Sequence, residues 1–140
     1  MDTNILMWLK DSLEVLGLPI HIGTAPKSSQ KAESFMIISP DNKQKENTLF
    51  DINGGTFNDD IVNIFIITEN NQKFENANEI AYNVKDIVDE ISDFTGNIPV
   101  SNNVRIIEII DNKIIYDGLD NQNRFVFNVK VRILWQFTKI

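Results

Sequence analysis

The pattern of apolar and polar positions is clearest between 76 and 94. Ala77, Ile80, Ala81, Val84, Ile87, Val88, Ile91 and Phe94 recur at spacings of three, four and seven, which places them on one stripe of an α-helix. Asn83, Lys85, Asp86, Asp89, Glu90 and Asp93 fill the opposite face. Asn76, with Glu79 three residues on, has the form of a capping box, and Gly96 and Pro99 close the segment. Such a stripe needs an apolar surface to lie on. The segments on either side, 61–68 and 104–110, read as strands. The pattern therefore predicts an α+β chain: a mostly antiparallel sheet with one long helix (about 76–94) packed on it.

A second amphipathic helix is predicted over 4–16, with Ile5, Leu9, Leu13 and Leu16 on one face and Leu6 and Trp8 at its margins. Thr3 or Asn4 is its expected cap, and Gly17 with Pro19 its stop. A short extended piece follows at 20–22, then a strand over 34–39 ended by Pro40. The run 61–68 is apolar on both faces, with Ile61, Phe65 and Ile67 pointing one way and Val62, Ile64 and Ile66 the other. It should be covered by the helix on one side and by a second sheet or a neighbouring subunit on the other. Residues 104–110 and 113–116 suggest a hairpin across Asp111-Asn112, and 117–118 and 120–123 the next turn. From 124 to 137 the alternation is sustained. Phe125, Phe127, Val129, Val131, Ile133, Trp135 and Phe137 share one face, and Arg124, Asn128, Lys130, Arg132 and Gln136 the other.

Only 41–60 lacks a pattern. It is either a protruding hairpin or a segment that orders against a partner, and the second reading is favoured because Phe50, Ile52 and Phe57 have no periodic home. With 140 residues and no internal repeat or linker, one domain spanning 1–140 is expected.

Composition narrows the function classes. A net charge of −7 argues against a general duplex-DNA binder. Cysteine is absent, so neither disulfides nor thiolate metal sites contribute. No apolar run is long enough to span a bilayer, and no secretory signal is expected. His21, the one histidine, stands at no catalytic spacing from a serine or an acid, and reads as a loop or strand-edge residue. The acids at 86, 89, 90 and 93 are the outward face of a helix, and Asn53-Gly54-Gly55 lacks the lysine and helix start of a phosphate cradle. Neither an enzyme nor a cofactor is expected. Arg105, Arg124, Lys130 and Arg132 form a possible basic strip on the outer sheet face, with the aromatics of that strand on the opposite face. Pairing with the acidic helix of a neighbouring subunit fits this strip better than nucleic-acid stacking, with plain solvated charge an equal alternative. Trp8 and Trp135 read as core or interface packing.

The order of elements resembles the tail terminator (tail completion, or minor tail) proteins of tailed bacteriophages. The resemblance is carried by DDIVNIFIITENNQKFENANEIAYNVKDIVDEI and by YDGLDNQNRFVFNVKVRILW, and runs from about Ile5 to Phe137. It implies a structural virion protein at the head-proximal end of the tail, made in the host cytoplasm. Such proteins form a hexameric ring that caps the tail tube, stops its polymerisation and provides the head–tail joining surface. The partners implied are other copies of the chain, the tail tube protein and a head-completion or neck protein. DNA would pass through the lumen without specific binding, and no membrane is involved. Exposure patterns make Lys43, Lys45, Leu49, Phe50, Ile52 and Phe57 candidates for contact with the tube or a neighbour, and Arg124, Lys130 and Arg132 for subunit pairing. The alternatives are a neck or head-completion connector and a small cellular ligand-binding α+β module.

Overall fold

Alternating side chains at 125–137 form the middle of a single sheet on which two helices lie. In the computed structural model, which describes residues 1–25, 33–41, 47–50, 56–69, 72–93 and 98–137, the helices are α1 (Thr3–Leu13) and α2 (Phe74–Asp93). The strands are β1 (Ile20–Ile22), β2 (Phe35–Pro40), β3 (Asn47–Phe50), β4 (Thr56–Ile67), β5 (Ile98–Pro99), β6 (Val104–Leu119) and β7 (Phe125–Phe137). All seven belong to one sheet in the order β1-β2-β4-β7-β6-β5, with β3 also paired to β4. Every pairing is antiparallel except β1 with β2. The expected α+β class is the observed one.

β7 is bonded on both sides, to β4 and to β6. Phe127, Val129, Val131, Ile133 and Trp135 are buried on its inner face, each contributing about 2 kcal/mol. Val62, Ile64 and Ile66 of β4 and Met36 and Ile38 of β2 extend that surface. α2 lies across β6 and β7 with Ala77, Ala81, Val84 and Val88 fully buried. α1 covers the β1–β2 side with Ile5, Leu9 and Leu13. Phe137 is exposed, at the end of the strand opposite Val104, with its ring 5.0 Å from that of Trp135.

Four expectations change. α1 is capped by Asp2, whose Oδ1 accepts from the Asn4 N–H at 2.8 Å, and it tightens into a 3₁₀ turn over Glu14–Leu16 before Gly17 takes φ 75°. α2 begins two residues before Asn76, which sits in its first turn and donates to Gln72 Oε1 at 3.2 Å. The reason is tertiary: Phe74 is held by the rings of Tyr116 and Phe125, both at 5.4 Å. The hairpin expected across Asp111-Asn112 is one continuous strand, β6, with register shifts at 106/108, 109/111 and 116/118. These bulges reset the alternation, so that Ile106, Ile109 and Ile114 all turn inward. Asn112 turns onto α2 instead of closing a turn, donating to Asp89 Oδ1 at 2.7 Å. Finally, the described part of 41–60 is paired and not patternless: 47–50 lies antiparallel to 56–59.

No second sheet covers β4 among the described residues, and Ile61 and Phe65 on its outer side are only half-buried. The central position of Ile64, fully buried between β2 and β7, makes it a measure of the core. Ile64→Ala should lower the unfolding free energy by about 3 kcal/mol, read from the urea midpoint at unchanged slope.

Candidate assembly surfaces

Both helices pack on the inner face, and among the described residues no further element lies on the outer face, although Phe35 and Ile67 are buried at one end of it. The register places Ile37 of β2, Ile61, Asn63 and Phe65 of β4, Asn128, Lys130 and Arg132 of β7, and Asp111, Lys113 and Ile115 of β6 on it. Ile37, Ile61, Phe65 and Ile115 are half-buried there. In the middle, Asn128 Nδ2 donates to Asn63 Oδ1 at 3.0 Å, while Asn128 Oδ1 is buried without a partner. Beside this pair lies a shallow recess of about 220 Å³ lined by Ile61, Asp111, Lys113, Lys130 and Arg132.

The three cations expected to pair subunits all have partners within the chain. Arg124 is buried, its Nε donating to Asp120 Oδ2 at 2.8 Å and its guanidinium 5.6 Å from the centre of the Phe35 ring. It closes the β6–β7 turn, which removes it from the accessible strip. Lys130 Nζ stands 3.7 Å from Asp41 Oδ2. Arg132 grips Asp59 with two donors, Nε to Oδ1 at 2.9 Å and a second nitrogen to Oδ2. The Asp59 side chain is 6% exposed and that of Arg132 46%. The hydrogen bonds from Arg132 hold the Asp59 carboxyl below its ordinary value, against the opposing effect of burial. Burial likewise opposes ionisation of Asp120, but hydrogen bonds from Arg124 and from the Gln122 N–H outweigh it and lower its pKa. Three of the four cations of the expected strip, Arg124, Lys130 and Arg132, are therefore compensated within the chain. Sequence order hid this, since Asp41 and Asp59 lie far along the chain from their partners.

Of the other candidates, Phe57 is half-buried on β4, opposite Leu49 of β3. The backbone of Phe50 is in β3 as well, while Lys43, Lys45 and Ile52 lie outside the described residues. Along α2, Glu75, Glu79, Asp86 and Glu90 are exposed. Asp89 accepts from Lys85 Nζ at 2.8 Å and from Asn112, and these two hydrogen bonds lower its pKa. Sequence reasoning missed the cluster of Phe74, Tyr116, Phe125 and Phe127, in which Phe74 and Tyr116 remain 43% and 47% exposed. The placement of Phe74 just ahead of the helical stripe was the available signal. Trp135 is core, with Nε1 donating to Asp60 Oδ2 at 2.7 Å, and Trp8 packs against the core. His21 lies on the edge strand β1 beside Phe35. Among the described residues no group of three or more acids or histidines could hold a metal ion, and no helix is long and apolar enough to cross a membrane.

The described residues thus form one sheet with both helices on the same side. No protein-family model and no curated protein matches the chain. Among solved structures, a chain in the virion of a native gene transfer agent particle shares the fold, with a TM-score of 0.51 over 91% of each chain. The two are 13% identical, so the likeness is one of fold.

The Asp59–Arg132 pair gives a pH signature. A carboxyl whose folded pKa lies below its ordinary 3.8 stabilises the fold above that value, and the contribution is lost as pH falls through the lower folded pKa. Asp59→Asn should therefore be less stable than wild type near neutrality, with the gap closing below pH 3.8. Urea midpoints measured from pH 7 to pH 3 check this; a gap independent of pH would assign the effect to packing.

Proposed function

We propose that this chain is a structural subunit of a tailed phage or phage-like virion. Copies of it form a ring, hexameric by resemblance, that caps the tail tube, stops its polymerisation and offers the surface to which the head is joined. The observation that carries the reading is the fold shared, over 91% of both chains, with a subunit of a gene transfer agent virion. Two features of the surface support it. The open outer face keeps Ile37, Ile61, Phe65 and Ile115 half-buried, a surface that a neighbouring subunit would finish covering. The acidic outward face of α2 and the net charge of −7 suit a wall that DNA passes without binding.

In this role the 41–60 segment, with Lys43, Lys45, Leu49, Phe50, Ile52 and Phe57, meets the tube or the adjacent subunit. Lys130 and Arg132, at the recess, lie within the contact between subunits, while Arg124 acts from beneath by holding the β6–β7 turn.

Solution mass by light scattering, with and without tail tube protein, tests the ring. The expected result with tube protein is a species several times the 16.1 kDa of one chain; a chain that stays monomeric in both runs overturns it. In the virus, loss of the protein should give overlong tail tubes. Normal-length tails beside unjoined heads would point to a neck protein instead. Phe57→Ser should leave the melting temperature within a few degrees while weakening association with the tube, and a large fall in melting temperature would place Phe57 in the core.

A further inference from the structure

Three stretches of sheet edge have no strand beside them among the described residues, the first being the outer side of the three-residue β1. Beyond Ile106, nothing pairs with β6 on the side away from β7, and nothing pairs with β3 on the side away from β4. A row of unbonded backbone N–H and C=O groups is a template for another strand. Bulges ordinarily blunt such an edge, and β6 has three of them. Between the second and the third, however, Asp111 to Tyr116 pairs with Arg132 to Phe127 in unbroken register. That regular window is longer than the four residues of β3. Ile110 and Tyr116, both exposed, stand at its two ends.

Strand direction narrows the partner to β3 or β1, which both run opposite to β6, and β3 is the longer, four residues to three. β3 runs antiparallel to β4, β4 to β7, and β7 to β6, so β3 and β6 run in opposite senses. Rotation about an axis near the strand direction preserves the sense of every strand. The β6 edge of one copy then meets the β3 edge of the next as an antiparallel pair, and the alternation continues unbroken. A two-fold pairing of β6 with β6 would close after two copies and leave both β3 edges bare.

We infer that β6 of one copy and β3 of the next are hydrogen-bonded neighbours, so that the sheet passes from subunit to subunit round the assembly. The occupant of the open edge is a second copy of this chain, and the inference rests on the ring proposed above. Backbone hydrogen bonds supply the contact, which suits a face on which Lys130 and Arg132 already have partners within the subunit.

The chain has no cysteine, which makes disulfide trapping clean. The register places Asn47 opposite Asp59, on the outer side of the sheet, and Asp111, Lys113 and Ile115 on the same side of β6. Asn47→Cys is combined in turn with Asp111→Cys, Lys113→Cys and Ile115→Cys in the full chain. Each double variant is checked for an unchanged melting temperature, assembled with tail tube protein and mildly oxidised. Strands in register bring one pair within the Cα separation of roughly 4.4–6.8 Å that a disulfide requires. The expected result is a ladder of linked multimers from at least one double variant, with every single variant unlinked. An assembly of wild-type mass that yields no ladder from any of the three overturns the strand pairing and leaves the ring standing. Dimers from Lys113→Cys alone overturn it in favour of the two-fold arrangement. Failure to assemble with the tube at all overturns the ring, and the strand pairing with it.

Discussion

β7 is bonded to a partner along each edge, and its inner face carries Phe127, Val129, Val131, Ile133 and Trp135 into the core. This double pairing fixes the register of β4 and β6. A one-residue slip would turn that entire apolar set outward, so the strand holds its neighbours to one alignment. α2 then lays its small residues, Ala77 and Ala81, and its valines against the same surface. Small side chains bring the helix axis close to the strands. The remaining apolar positions of β6 reach the core only because bulges shift its phase where the alternation fails.

Helices on one side alone leave the outer face to find its own means of stability. Asp59 and Asn128 are nearly buried there, and a buried polar group without a partner is costly. Arg132 and Asn63 supply the partners. Removing one member of such a pair strands the other, which makes these cations structural before they are anything else. The consequence for assembly is direct. A contact through Asp59, Lys130 or Arg132 gains little from new ion pairs, because forming them means breaking the ones present. Backbone edges and half-covered apolar side chains are the remaining currency of association.

The helical stripe of α2, the alternation of β7 and the Gly17 stop were legible because each is a local pattern, readable within a few turns or strand lengths. Three features were not. The start of α2 depends on Phe74 meeting Tyr116 and Phe125 across the fold, and a capping-box spacing at Asn76 competed with it and lost. Asp111-Asn112 has turn chemistry, yet an unbroken partner strand overrides it and Asn112 bonds to Asp89 instead. The strip of cations looked basic because alternation reveals which residues share a face, and not which acids the adjoining strands bring alongside. For the same reason Arg124 read as a surface residue, while its carboxylate partner four residues away and the Phe35 ring draw it under the turn.

An edge able to accept a strand is also a hazard, since head-to-tail contacts extend into fibres when the rotation between copies does not close. The chain counters this with charge and with phase. Net charge of −7 sets copies against one another in solution, and the bulges confine regular backbone on β6 to the window from Asp111 to Tyr116. A four-residue partner strand makes each junction weak by itself, because two-stranded pairings of that length are marginal in water. Assembly then requires that several weak junctions form at once on a template that holds the copies at the right angle. In the proposed ring, the tube end is that template. On this account the acidic surface and the interrupted edge serve one end: subunits that stay apart until the tube gathers them.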